Sequence, residues 1–197
     1  MNLPNKITTL RMILVVVLIA LLLIPFKDSA VFSGQELTWR YLVAFIIFLV
    51  ASVSDYFDGH IARKYNLVTT YGKFMDPIAD KLLVNSSFII LAIQGPVRVP
   101  AIVVVIMIAR DIIVDALRMI SVQKGIVIAA SKLGKLKTVS QMIALSLVFL
   151  ADLPFALIGS NGWVAISLCY LAALISLVSG LDYLIKGRLV FKDEKDN

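Results

Sequence analysis

The residues of this chain best equipped for chemistry lie between Asp55 and Asp80, in the stretch DYFDGHIARKYNLVTTYGKFMDPIAD. Their spacing is Asp55-x2-Asp58-Gly59-x2-Ala62-Arg63-x8-Gly72-x3-Asp76-x3-Asp80, at the edge of long apolar runs. Carboxylates next to hydrocarbon are costly unless something cationic holds them there, so four of them mark a functional site by default. An all-oxygen donor set without thiols or imidazoles suits a hard cation, Mg2+ or Mn2+, better than zinc. Two such ions would balance the four charges.

Helices must carry these groups. Asp55 and Asp58 are three apart at the end of one apolar run, and Asp76 and Asp80 are four apart at the start of the next, so each pair shares a helix face. Gly59 and Ala62 leave almost no side-chain bulk beside the acids, which lets a polyanion such as a pyrophosphate approach the backbone. Arg63 is then placed to clamp phosphate oxygens with its planar fork. Gly72 allows a sharp turn or a close ligand before the third helix, and Pro77 fits that helix's first turn.

Composition supplies the setting. Sixty per cent hydrophobic residues and a mean hydropathy of +0.94 in 197 residues exceed what a soluble core of this size can hide. The expectation is an all-α integral membrane protein. Six segments approach the roughly 20 apolar residues that a span requires: Ile7 to Ile24, Leu37 to Ser54, Pro77 to Ile93, Val99 to Met119, Leu136 to Ala151 and Trp163 to Leu184. Met12 to Ile24 behind Lys6 and Arg11 also fits a signal peptide, but five further spans need an anchored start. Gly95-Pro96, Asp152-Leu153-Pro154 and Asn161-Gly162 punctuate short loops. No linker or repeat is visible, so residues 1–197 read as a single domain.

Six spans with the N-terminus in the cytoplasm place most of the Lys and Arg on one side, leaving Lys27, Arg40 and Arg98 on the other. By the positive-inside rule both termini and the acidic segment face the cytoplasm. The net charge of +6 is therefore a topology signal and an attraction to anionic lipid. Nucleic acid is excluded as a partner, since no soluble basic domain exists to bind it. Cys169 stands alone in an apolar helix and reads as packing, as Tyr41, Trp39 and Trp163 read as interfacial aromatics.

The pattern from Asp55 to Asp80 resembles the signature of the CDP-alcohol phosphatidyltransferase family, D-x2-D-G-x2-A-R-x8-G-x3-D-x3-D, with all eight positions matched. The resemblance implies six membrane helices. It implies that Asp55 and Asp76 bridge two metal ions, Mg2+ with Mn2+ as the alternative, that Asp58 completes one site and Asp80 the other, and that Asp80 is the general base. It implies that Asp58, Gly59, Arg63 and Thr69 hold the CDP moiety. The opening Asn2-Leu3-Pro4-Asn5-Lys6-Ile7-Thr8-Thr9-Leu10-Arg11 is similar to the branch that makes phosphatidylglycerophosphate, which puts Pro4 and Asn5 near the nucleotide. Ala109-Arg110-Asp111 with Arg118, and Gly134-Lys135-Leu136-Lys137-Thr138-x2-Gln141, look like the same branch, and cardiolipin synthases share much of this second set.

Charges inside the fourth apolar segment are expensive. Arg110, Arg118, Lys135 and Lys137 are read as a phosphate pocket opening on the metal site. The bland alternatives are that the lysines are topological anchors and that Arg110 pairs structurally with Asp115. The expected activity is transfer of a phosphatidyl group from CDP-diacylglycerol to sn-glycerol 3-phosphate, in a multi-pass protein of the cell membrane whose site faces the cytoplasm. Family resemblance also suggests a homodimer. Two rivals remain: a sister activity with another acceptor, such as phosphatidylglycerol for cardiolipin, and a divalent-cation transporter.

Overall fold

A computed structural model of the chain describes residues 3–25, 29–31, 36–64, 69–125 and 131–192, with side chains described for these apart from 3, 4, 55–64, 70, 71, 73 and 189–192. Six α-helices account for nearly all of it: α1 (Leu3–Leu23), α2 (Trp39–Lys64), α3 (Thr70–Gln94), α4 (Ala101–Gln123), α5 (Lys132–Phe149) and α6 (Trp163–Lys192). A short 3-10 turn, Phe155–Ile158, lies between α5 and α6. Among the described residues the only extended pairing is one isolated bridge between Ala30 and Thr38. Helices satisfy their own backbone polar groups, which apolar surroundings demand.

The helices run further into polar sequence than the apolar runs predict, because side chains cap them there. Thr69 accepts a hydrogen bond from the Gly72 N–H at 3.0 Å and starts α3 at Thr70. Ser131 does the same for Gly134 and starts α5 at Lys132. Each is an N-cap satisfying an orphan donor of the first turn. Two expectations are thereby corrected. Gly72 lies within the first turn of α3 and not in a preceding bend, and Pro77 lies inside α3, beyond its first turn.

Helix α1 packs along α2 and α3, while α6 packs along α4 and α5. The two groups meet through α3 against α4 and α5, and α2 against α5. Leu18, Leu83, Leu91, Met107 and Leu145 are fully buried in the shared core, where the rings of Phe48 and Phe149 lie 5.4 Å apart. Cys169 is buried there too. Tyr41, read from sequence as an interfacial aromatic, is instead buried and donates its hydroxyl to the Gln94 carbonyl, because the end of α3 closes over it.

The outside is apolar as well. Val16, Ile112, Met119 and Ile185 are each more than 60% exposed, a surface that water does not favour. Among the described residues two helical stretches are long and apolar enough to cross a membrane, Asn5–Leu23 and Trp163–Arg188, and Trp39–Ser54 is a shorter apolar stretch. Helices α3, α4 and α5 fall short on that measure because each carries charged residues in the half nearest the acidic segment.

Candidate active site

Two constellations form at the helix ends nearest the acidic segment. The first lies between α1 and the start of α3. Asn5, Thr8 and Arg11 follow one another at three-residue steps, so they face one direction from α1. The Thr69 hydroxyl donates to Asn5 Oδ1 at 2.6 Å, and the Thr8 hydroxyl donates to Asp76 Oδ1 at 2.9 Å. Arg11, with no exposed surface, brings Nη2 to 3.7 Å from the same Asp76 oxygen. A Cβ on Gly72 would sit 3.3 Å from Thr69 Oγ1 and 3.7 Å from both Asn5 Oδ1 and Asp76 Oδ2, so a bare backbone lets these groups converge.

Asp76 keeps 40% of its side chain open, and Asp80 follows one helical turn later. Both are oxygen donors on one face of α3, a chemistry that fits a hard divalent cation. The side chains of Asp55, Asp58, Gly59 and Arg63 lie outside the described residues, as does that of Pro4; the backbone places the first four in the last turns of α2. Among the described residues no three metal-ligating side chains gather.

The second constellation is a half-open cavity of about 250 Å³ walled by α3, α4, α5 and α6. Its lining holds all four cations singled out from sequence, Arg110, Arg118, Lys135 and Lys137, together with Asp80. Five cations, counting Lys81, face the three carboxylates Asp80, Asp111 and Asp115, an excess of two positive charges.

Those cations are not equivalent. Lys137 Nζ lies 2.7 Å from both oxygens of Asp111, and Arg110 Nη1 lies 3.0 Å from one of them. Arg110 Nη2 also donates to Ser179 at 2.6 Å. The expected alternative partner of Arg110, Asp115, one turn further along α4 than Asp111, is instead paired with Lys81 of α3. Arg118 Nη2 donates to the Tyr183 hydroxyl at 2.6 Å and stacks over that ring at 5.0 Å. Among the described residues, Arg118 and Lys135 contact no carboxylate. Arg110 Nε and, one turn below Lys137, Gln141 Nε2 are buried without hydrogen-bond partners, leaving polar capacity unspent near the cavity.

Sequence reasoning missed Tyr183, which reads as a packing aromatic in an apolar helix. It missed Thr8 and took Arg11 as a charge for topology, although their three-residue spacing from Asn5 was a usable signal. It also missed Gly180, where a Cβ would come within 2.9 Å of Arg110 Cγ; the glycine is the notch through which Arg110 crosses α6.

Residues 1–178 match the family model described as CDP-alcohol phosphatidyltransferase. The chain is 42% identical over 186 residues, 94% of each chain, to the CDP-diacylglycerol--glycerol-3-phosphate 3-phosphatidyltransferase of Bacillus subtilis (strain 168). Proteins of the same name are similar to it in Escherichia coli (strain K12), 35% identical over 98% of each chain, and in Rickettsia typhi (strain ATCC VR-144 / Wilmington), 37% identical over 92% of this chain and 94% of that one. With its signature spacing intact and the match extending over nine-tenths of its length, this chain belongs to the CDP-alcohol phosphatidyltransferase family.

Proposed function

We propose that this protein transfers the phosphatidyl group of CDP-diacylglycerol to sn-glycerol 3-phosphate, giving phosphatidylglycerophosphate and CMP. The observation that carries the choice of acceptor is the pair of cations, Arg118 and Lys135, that contact no carboxylate among the described residues, in a cavity that also contains Asp80. A phosphomonoester brings up to two negative charges and matches that excess. Phosphatidylglycerol, the acceptor for cardiolipin synthesis, brings one charge on a diester and two acyl chains, for which a cavity of about 250 Å³ is small. Membership in a transferase family leaves the cation-transport reading without support.

Asp55, Asp58, Asp76 and Asp80 would hold two divalent ions, Mg2+ with Mn2+ as the alternative. Bound there, such ions stabilise charge on the attacking and leaving oxygens of an in-line phosphoryl displacement. Pro4, Asn5, Asp58, Gly59, Arg63 and Thr69 hold the CDP moiety, and the Asn5–Thr69 bond pre-orders two of them. Arg118 and Lys135 bind the acceptor phosphate. Arg110 and Lys137, tied to Asp111, shape the floor and add field without being free to follow the ligand. The acceptor hydroxyl oxygen forms a bond to the lipid-bearing phosphorus, the bond from that phosphorus to the CMP oxygen breaks, and the hydroxyl proton passes to Asp80.

The chain acts as one domain with six membrane spans, both termini and the site on the cytoplasmic side, and pairs as a homodimer. The distribution of Lys and Arg supports the orientation, and apolar residues exposed on α1, α2, α4 and α6 support immersion in lipid. Purified protein given CDP-diacylglycerol, Mg2+ and one acceptor at a time tests the activity. CMP release with glycerol 3-phosphate is expected. Release with phosphatidylglycerol and none with glycerol 3-phosphate would replace this reading with the sister activity.

A further inference from the structure

We infer that Tyr183 is a binding residue for the acceptor, its phenolic O–H donating directly to a phosphate oxygen held by Arg118 and Lys135. The inference rests on the cavity being the acceptor site.

Tyr183 belongs to α6, far in sequence from the signature, and only 1% of it is exposed. Its hydroxyl oxygen accepts two hydrogen bonds, from Arg118 Nη2 at 2.6 Å and from the Ser131 N–H at 3.1 Å. These occupy the oxygen's accepting capacity and leave its single proton. The Ser131 side chain also hydrogen-bonds to this hydroxyl, a neutral partner that an anionic phosphate oxygen outcompetes for the proton. The groups surrounding the hydroxyl, Arg118, Ser131 and Gly134, all line the cavity, so the hydroxyl edge of the ring is the edge turned toward it.

Two donors pulling on the phenolic oxygen, one of them cationic, make its O–H a stronger donor than a solvated phenol. Anionic oxygen is the matching ligand, and the phosphomonoester is the ligand with oxygens to spare once Arg118 and Lys135 are engaged. The stacking of Arg118 on the same ring fixes the angle between the two donors. Tyr183 thus has a second, indirect effect by holding Arg118, and the test must separate the two.

Tyr183→Phe keeps the ring under Arg118 and removes only the hydroxyl. We expect the KM for glycerol 3-phosphate to rise about tenfold and the inhibition constant of inorganic phosphate to rise in parallel, with the KM for CDP-diacylglycerol within twofold of wild type. Combining it with Arg118→Ala separates direct from indirect action. A direct bond predicts that the double variant has an acceptor KM at least threefold above Arg118→Ala alone. No added effect in that background would make Tyr183 a positioning residue only and overturn the inference, as would an acceptor KM within twofold of wild type or equal rises for both substrates. If Tyr183→Phe does not fold, wild-type protein carrying 3-fluorotyrosine at position 183 provides the reading. Its fluorine resonance should move on titration with inorganic phosphate, and no movement at saturating phosphate overturns the inference. Failure of wild-type protein to use glycerol 3-phosphate at all would strike the proposed function instead, and is seen before any variant is made.

Discussion

The hydroxyl of Thr8 on α1 holds the carboxylate of Asp76 on α3 at 2.9 Å, joining residues 68 positions apart in sequence. Asp76 is the carboxylate proposed to meet both ions, so Thr8 would orient a metal ligand while touching no metal itself. Groups that orient ligands in this way typically contribute 10- to 100-fold to metal affinity or activity. Thr8→Val, which keeps the shape and removes the donor, should raise the Mg2+ concentration for half-maximal CMP release about tenfold. Mn2+ binding followed by electron paramagnetic resonance should weaken in step.

Lys137 and Asp111 predict a stability effect. The pair is buried, with side-chain exposures of 10% and 8%, and removing one partner of such a pair typically costs 3–5 kcal/mol because the other charge is stranded. Arg110 still touches Asp111, so Lys137→Met should cost about 3 kcal/mol, at the low end of that range. Thermal unfolding in detergent reads it.

Lys135 should behave in the opposite way. It is exposed and has no carboxylate partner among the described residues, so Lys135→Met should change stability by less than about 0.5 kcal/mol. Losing a charge-assisted bond to the acceptor phosphate should still raise the glycerol 3-phosphate KM about tenfold. The wild-type KM should climb between 50 and 500 mM KCl, values chosen to shorten the screening length by about threefold, and the variant should respond less steeply.

Gly180 predicts a steric effect. A Cβ there would meet Arg110 Cγ, part of the stem and not its mobile tip, at 2.9 Å. Helices α4 and α6 must then separate, and Gly180→Ala should cost about 1–3 kcal/mol as an overpacked contact. The 2.6 Å bond from Arg110 to Ser179 should loosen with it, which a raised acceptor KM together with a lowered unfolding temperature would report.

Much of this was legible in advance, for reasons that differ by element. The apolar runs gave all six helices, since twenty residues of hydrocarbon solubility admit few other conformations. Their ends were displaced because Thr69 and Ser131 cap polar turns that hydropathy does not register. The cations Arg110, Arg118, Lys135 and Lys137 were identifiable because charge beside hydrocarbon is conspicuous, and the structure brings them to one cavity with Asp80. Their division into a pair bound to Asp111 and a pair that meets no carboxylate among the described residues was not legible, because it depends on how α5 is rotated against α4. Tyr183 was invisible for a simpler reason: in an apolar helix a phenol with a polar task has the same sequence context as one that only packs.

At the end of the molecule opposite the cavity, the chain turns from α5 into α6 over Asp152, which is fully buried and adopts a left-handed backbone at φ 65°. Its carboxylate accepts from the Ala165 N–H at 2.7 Å and from the Ser160 hydroxyl at 2.5 Å, fastening the start of α6 to the end of α5. From Trp163 to Tyr183 the helix is about 30 Å long at 1.5 Å per residue. The two helices consequently form a long lever with its pivot at the carboxylate, and one degree of rotation there displaces Tyr183 relative to Lys135 by about half an ångström. A lesion at that far end, with no atom near the reacting groups, would thus be felt as a change in how tightly the small anion is gripped.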